Sequence, residues 1–194
     1  YCDVITSSGN SLLSVLGDVL DFAKIESGRI DLENVNFDLH DLITDVINVH
    51  KELATQRRNR IYADISDELM NSFNGDPTRI RQCILNLVGN ACKFTERGTV
   101  TLTVNRVEVG GQPWLSFEVN DTGVGMSDEQ MTTLFTPFDA SAGRRYGGTG
   151  LGLALASRFC RMMSGSIDVS SAPGRGSCFT VKLPQAVPSL DLAA

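Results

Sequence analysis

The sequence predicts an α+β fold opened by one long helix. Three observations predict it. Apolar residues recur at helical spacing in four long stretches, at residues 7–26, 39–56, 77–94 and 151–162. Apolar and polar residues alternate on both sides of Gly110-Gly111 and of a turn at residues 173–176, as in paired strands. A glycine-rich run, Tyr146, Gly147, Gly148, Thr149, Gly150, Leu151, Gly152 and Leu153, leads into the last helical stretch instead of interrupting it.

Composition narrows the class. At 194 residues the chain fits one domain with an appendage, and 42% hydrophobic with 21% charged residues is ordinary for a globular protein. The net charge of −6 argues against sequence-independent nucleic-acid binding, which depends on Lys and Arg neutralising phosphates. The five cysteines, Cys2, Cys83, Cys92, Cys160 and Cys178, are scattered without CxxC spacing. Three sit in apolar patterns as small hydrophobes, and the set reads as a reducing compartment with no metal site. No signal peptide and no apolar run of transmembrane length is recognisable. The chain opens in mid-pattern, so the expectation is a piece of a longer protein whose sensor or membrane anchor lies upstream.

In the first helix, residues 7–26, Leu12, Leu16, Val19 and Ala23 form a stripe widened by Leu13, Leu20 and Phe22. The spacing is close to a heptad, which suits a bundle with a partner helix. Docking on the chain's own domain would cover the same face. Ser27-Gly28 ends the helix. Residues 30–37 alternate and read as extended. Asp38 caps a helix over residues 39–56, residues 60–66 form a short strand, and residues 71–75 read as loop. Asp76-Pro77 is a strong helix start. The helix to Phe94 buries Ile80, Ile84, Leu87, Val88 and Ala91. A strand over residues 99–109, a Gly-Gly turn and a strand over residues 114–120 make a hairpin. Ser127 caps a short helix reaching about Phe135. Residues 136–147 lack periodicity and carry Arg144 and Arg145, so they read as a loop over a ligand. Gly165 closes the last helix, strands follow at residues 166–171 and 177–183, and the tail after Pro184 reads as linker.

Three patterns carry chemistry. Asn86, Asn90 and Lys93 fall within about 60° of arc on one helix, apart from the apolar face. Lys meets phosphate as a point charge, and Asn offers oxygen to a hard cation such as Mg2+. A solvated helix face is the other reading. Asp121 stands at a strand end before Gly123 and Gly125, glycines that let backbone approach a ligand. An acceptor-only carboxylate suits a donor such as an exocyclic amine, though Asp-Thr-Gly also makes ordinary turns. The glycine run at residues 147–152 exposes N–H groups at the positive end of a helix and so suits phosphate. It is not a Walker loop, because no Gly-Lys-Ser/Thr follows. Close helix packing is the other use of such glycines.

In this order and spacing the patterns resemble the ATP-binding catalytic domain of sensor histidine kinases, within the gyrase, chaperone, histidine kinase and mismatch-repair superfamily. Residues 86–95 (NLVGNACKFT) resemble the N box, residues 121–126 (DTGVGM) the first glycine box, Phe135 to Phe138 the F box, and residues 148–153 (GTGLGL) the second glycine box. The helix ending in Lys24, Ile25, Glu26, Ser27 and Gly28 is similar to the second helix of the dimerisation and histidine-phosphotransfer hairpin. The resemblance divides the chain into that partial helix at residues 1–28, the catalytic domain at 29–184 and a tail at 185–194.

The resemblance implies a two-layer α/β sandwich with a mixed sheet, the Bergerat-type ATP-binding fold. It implies that Asp121 takes the adenine amine, with Gly123 and Gly125 beside it. Asn90 and Asn86 hold Mg2+ on the phosphates, and Lys93 contacts phosphate, as does Arg144 or Arg145. Tyr146, Gly148, Thr149, Gly150, Leu151 and Gly152 border the phosphates, and Phe135 and Phe138 anchor the loop. Hydrolytic branches of the superfamily place Glu where this chain has Asn86, which cannot act as general base at neutral pH. Phosphoryl transfer to a protein histidine is therefore implied, for relay to the Asp of a response regulator or receiver domain. A homodimer through the first helix and a cytoplasmic location of the catalytic part are also implied. The chain departs from the complete pattern in its acceptor. Only His40 and His50 are present, and both lie in the helix of residues 39–56, so the phosphoacceptor is expected upstream. The alternative is a non-catalytic, ATP-binding module that controls a partner kinase. A gyrase-type ATPase is opposed by Asn86.

Overall fold

The computed structural model describes residues 2–69, 72–138 and 150–185. Helix α1 spans Cys2–Glu26, starting a turn earlier than the apolar stripe alone indicates. It ends at Gly28, whose φ of 64° is the left-handed conformation that glycine adopts without a Cβ penalty. There Gly28 N–H donates to Ile25 O at 3.0 Å and Arg29 N–H to Lys24 O at 3.0 Å, which satisfies two trailing carbonyls of the helix.

The extended segment expected at residues 30–37 is shorter in the structure, where β1 is Val35–Asp38. Its antiparallel partner is β3, Ser72–Gly75, with Phe37 opposite Phe73. The loop expected at residues 71–75 is thereby corrected. That run has one apolar side chain and no visible alternation. Its strand state comes from pairing with β1 and from burial of Phe73.

Between these strands lie α2, Leu39–Gln56, and β2, Arg60–Ile65. Asp38 Oδ1 caps α2 by accepting from His40 N–H at 2.8 Å and Asp41 N–H at 3.1 Å. A short 3-10 turn, Asp67–Leu69, precedes β3. Helix α3 is Pro77–Phe94. Its cap, Asp76, uses both oxygens: Oδ1 accepts from Arg79 N–H at 2.9 Å, and Oδ2 from Glu33 N–H at 3.1 Å. The segment after α1 is thus tied to the start of α3. Strands β4, Thr99–Val109, and β5, Gln112–Asp121, make the expected hairpin, with Gly110 and Gly111 at φ of 60° and 76°. Helix α4, Asp128–Thr133, carries the Ser127–Gln130 capping box and stops short of Phe135. Helix α5, Gly152–Met162, and strands β6, Ser166–Ala172, and β7, Gly176–Pro184, complete the chain order.

The larger sheet runs β2-β4-β5-β7-β6, and only the β2–β4 pairing is parallel, so the sheet is mixed. Alternate residues of its three central strands are buried: Val100, Leu102 and Val104, then Leu115, Phe117 and Val119, then Phe179, Val181 and Leu183. Helices α2, α3 and α5 pack against that face, with Phe117 and Phe159 fully buried between the layers. This is the two-layer α/β sandwich. Cys83, Cys92 and Cys160 are buried free thiols within it.

Gly165 ends α5 as expected, and it does so by its lack of a side chain. The left-handed residue is Ser164, at φ 60°, whose N–H donates to Arg161 O at 3.0 Å while Gly165 N–H donates to Cys160 O at 2.7 Å. Gly165 supplies space, because a Cβ there would collide with Lys182 O.

Among the described residues, the last turns of α1 dock on the domain. Asp21 Oδ2 accepts from Arg79 Nη1 at 3.3 Å and from Gln82 Nε2 at 2.9 Å. The Phe22 ring lies edge-on to Phe138 with centroids 5.9 Å apart, and the Arg158 guanidinium stacks over it at 4.5 Å while pairing with Glu26. Further up, Leu12, Leu13, Leu16, Val19 and Leu20 are exposed. No described helix is long and apolar enough to cross a membrane.

Candidate functional site

Asn86, Asn90 and Lys93 stand half-buried along α3, beside the fully buried Leu87, Val88 and Cys92. Helical geometry sets the stripe, since positions three and four apart share a face. Asn86 Nδ2 donates to Gly152 O at 3.2 Å, and a Cβ on Gly152 would lie 3.1 Å from Asn86 Oδ1. Asn86 therefore holds the first turn of α5 against α3, and the glycine is what lets it do so. The Lys93 ammonium lies 5.2 Å from the Phe94 ring centroid. Burial, helped by the nearby positive charge of Arg57, holds its pKa below the ordinary lysine value.

Asp121 is the last residue of β5 and is 9% exposed. Its Oδ1 accepts from Gly123 N–H at 2.8 Å and more weakly from Thr95 Oγ1 at 3.5 Å. Ser177 also donates to the carboxylate, through its backbone and its hydroxyl. Burial pushes the Asp121 pKa up, and these donors oppose the rise without cancelling it. Cys92 on α3 lies close enough to feel that carboxylate. Its thiol is pushed up to about 11 by burial, with the Asp121 charge adding to the effect.

The two glycines after Asp121 are closely enclosed by the chain's own backbone. A Cβ on Gly123 would collide with Phe94 O, and one on Gly125, at φ 63°, with Ala172 O. They let the chain's own backbone approach at these points. Val124 N–H donates to Phe94 O at 3.3 Å, and Gly174 N–H to Val124 O at 2.7 Å. Asp121 is thereby pinned between the end of α3 and the β6–β7 turn.

Leu151 is the cap residue of α5, and its apolar side chain makes no cap hydrogen bond. Asn86 stands alongside the first turn of that helix. Gly150, at φ 68°, accepts from Phe138 N–H at 3.2 Å. Phe135 packs on the core, whereas Phe138 is 63% exposed and meets Phe22. Arg144, Arg145, Tyr146, Gly148 and Thr149 lie outside the described residues.

The two histidines have structural surroundings. His40 is exposed in the first turn of α2, within 3.5 Å of Thr44 Oγ1. His50 bonds Val46 O through Nδ1 at 2.9 Å and packs against Gly89, and burial lowers its pKa.

The donors and acceptors fit an adenine nucleotide: a buried acceptor-only carboxylate, a partly desolvated ammonium, two amide side chains and the start of a helix around α3. Sequence reasoning gave no role to Thr95, Ser177 or Asn59, which bond Asp121 or the turn beside it. The available signal for Thr95 was its place as the first non-helical residue after the polar stripe. Ser177 and Asn59 carried none.

Comparison with known proteins places these features. A family described as histidine kinase-, DNA gyrase B-, and HSP90-like ATPase matches residues 75–187, more than half of the chain. The sensor protein GacS of Pseudomonas syringae pv. syringae is 38% identical over 192 residues, which cover 96% of this chain and 21% of GacS. The signal transduction histidine-protein kinase BarA of Shigella flexneri is 36% identical over 183 residues, 92% of this chain and 20% of BarA. The chain thus spans about a fifth of the length of these curated relatives. Full-length ShkA, solved in complex with AMPPNP, superposes with a TM-score of 0.83 at 33% identity, over 96% of this chain and 38% of that one.

Proposed function

This chain belongs to the histidine kinase-, DNA gyrase B-, and HSP90-like ATPase family, and on that premise we propose that it is the ATP-binding catalytic part of a two-component sensor histidine kinase of the hybrid type. It passes the γ-phosphate of ATP to a histidine outside residues 1–194, for relay to an aspartate of a response regulator or receiver domain. The observation that carries this reading is the gathering of Asp121, Asn90, Lys93 and the start of α5 around one helix. The names of its relatives and the AMPPNP complex of ShkA support it.

In this reading Asp121 accepts the adenine amine, and Lys93 and the first N–H groups of α5 take the phosphates. Asn90 holds Mg2+ through its side-chain oxygen. Asn86 shares that role through Oδ1, since its nitrogen is engaged with Gly152 O. Bound magnesium supplies positive charge against the phosphate oxygens. Arg145, Tyr146, Gly148 and Thr149 are proposed to complete the phosphate side. No carboxylate stands at position 86, so the chain lacks a base there to activate water. Positioning and charge neutralisation then favour transfer over hydrolysis. The exposed stripe of α1 is the proposed homodimer contact, residues 1–28, 29–184 and 185–194 are the proposed divisions, and the catalytic part is placed in the cytoplasm.

Titration with Mg·ATP tests the site. Binding below millimolar concentration is expected, and no binding at millimolar overturns the reading. Addition of an acceptor hairpin in trans is expected to yield an acid-labile phosphate. ATP binding without that transfer selects a regulatory, non-catalytic module instead.

A further inference from the structure

Asn59 lies between α2 and β2, far in sequence from every residue assigned above. Its surroundings are built. Arg58, at φ 58°, turns the chain after α2, with Asn59 N–H donating to Ala54 O at 2.8 Å. The side chain then spans to the end of α3. Asn59 Nδ2 donates to Cys92 O at 3.1 Å and to Thr95 O at 2.9 Å, and its Oδ1 accepts from Gly98 N–H at 3.1 Å. Two acceptors and one donor face this amide, so its orientation is fixed by its partners. Cys92 O is one of the last carbonyls of α3, which have no partner inside the helix, and Thr95 is the residue that caps that helix.

The turn that Asn59 grips, residues 95–98, is tied at further points. Arg97 N–H donates to Arg57 O at 3.0 Å, and Arg60 N–H to Gly98 O at 2.9 Å. Gly98 is closely enclosed, since a Cβ there would collide with Thr122 Oγ1 and crowd Thr95 Cγ2. Thr99 N–H donates to Thr122 Oγ1 at 2.9 Å. Both Thr95 and Thr122 therefore have their places set by this turn. Thr95 reaches the Asp121 carboxylate, and Thr122 adjoins Asp121 in the chain.

We infer that Asn59 is a positioning residue for base recognition: by clamping the α3–β4 turn it holds Thr95 against Asp121 and so aims the carboxylate that takes the adenine amine. This rests on the proposed ATP site. The side-chain hydrogen bonds of Asn59 go to Cys92, Thr95 and Gly98, on the base side of the site, so its loss is expected to act on the base more than on the phosphates.

The test compares ATP with inosine triphosphate, which has a carbonyl in place of the amine, on the full 194-residue chain. The unaltered chain is expected to prefer ATP. Failure to bind either nucleotide overturns the ATP site itself. In Asn59→Ala, ATP affinity is expected to fall about ten-fold, the scale of one hydrogen bond to a charged group, while inosine triphosphate binds within about two-fold of before. Equal losses for both nucleotides mark a merely structural residue and overturn the inference, as does an unchanged preference. Thr95→Val is expected to narrow the preference likewise, and the double variant to add nothing further. Full additivity overturns the proposed route, and an unaltered preference in Thr95→Val overturns it even where Asn59→Ala does not fold.

Discussion

Asp121 is a carboxylate held where its charge is costly. Burial raises its pKa above the ordinary aspartate value near 3.8, and the bonds from Gly123, Ser177 and Thr95 recover part of the difference. Only the ionised form accepts from an amine without conflict. ATP affinity should therefore be complete at neutral pH and fall as the pH drops through the raised pKa, at a pH above that of an exposed aspartate. Calorimetric titration from pH 7 to pH 4 checks the direction. Asp121→Asn should weaken ATP binding by about ten-fold or more at pH 7, the scale of a charge-assisted hydrogen bond, and should flatten that acid limb. A variant that retains the limb would assign it to another group.

Elements whose signals are local were legible in the sequence. Asp38, Asp76 and Ser127 cap the helices they were expected to cap, and Gly28 and Gly110-Gly111 turn the chain where expected. The polar stripe on α3 was legible because helix periodicity places Asn86, Asn90 and Lys93 together whatever packs around them. What escaped depends on distant partners. β3 is a strand because β1 lies beside it, and Asn59 matters because α3 ends above it. Gly165 shows how one residue type serves two purposes: glycine permits left-handed backbone and also removes a side chain. Here the uses fall on adjacent residues. Ser164→Gly should therefore raise stability by about 1 kcal/mol, by relieving a left-handed residue. Gly165→Ala should lower it by more than about 1 kcal/mol, the scale of overpacking against fixed backbone. Urea unfolding of the two variants reads both signs. The opposite ranking would contradict this division of roles.

At the scale of the whole molecule, α1 has two characters. Its last turns are tied by Asp21, Phe22 and Glu26 to Arg79, Gln82 and Arg158, and its upper turns present Leu12, Leu13, Leu16, Val19 and Leu20 outward. Exposed leucines at near-heptad spacing suit the seam of the proposed helix pair. Sedimentation equilibrium at high micromolar concentration should show a dimer, and Leu16→Asp, on the exposed face, should leave a monomer with an unchanged nucleotide affinity. A monomeric parent chain under those conditions would contradict the proposed contact.

The single parallel pairing in the sheet bears on the order of assembly. β4–β5 and β6–β7 are hairpins whose partners are close in sequence, so their closure costs little chain entropy. β2 reaches β4 only through a crossover that includes β3 and α3. It is therefore expected to join after the folding transition state. Ile61→Ala, a half-buried position on β2 packed on the core, should speed unfolding and leave the refolding rate nearly unchanged, as stopped-flow measurements can read. Asn59 stands at the head of that strand. The clamp beside Asp121 is then closed by the last strand to arrive, and a molecule caught one step short of native would be nearly folded yet indifferent to which base it meets.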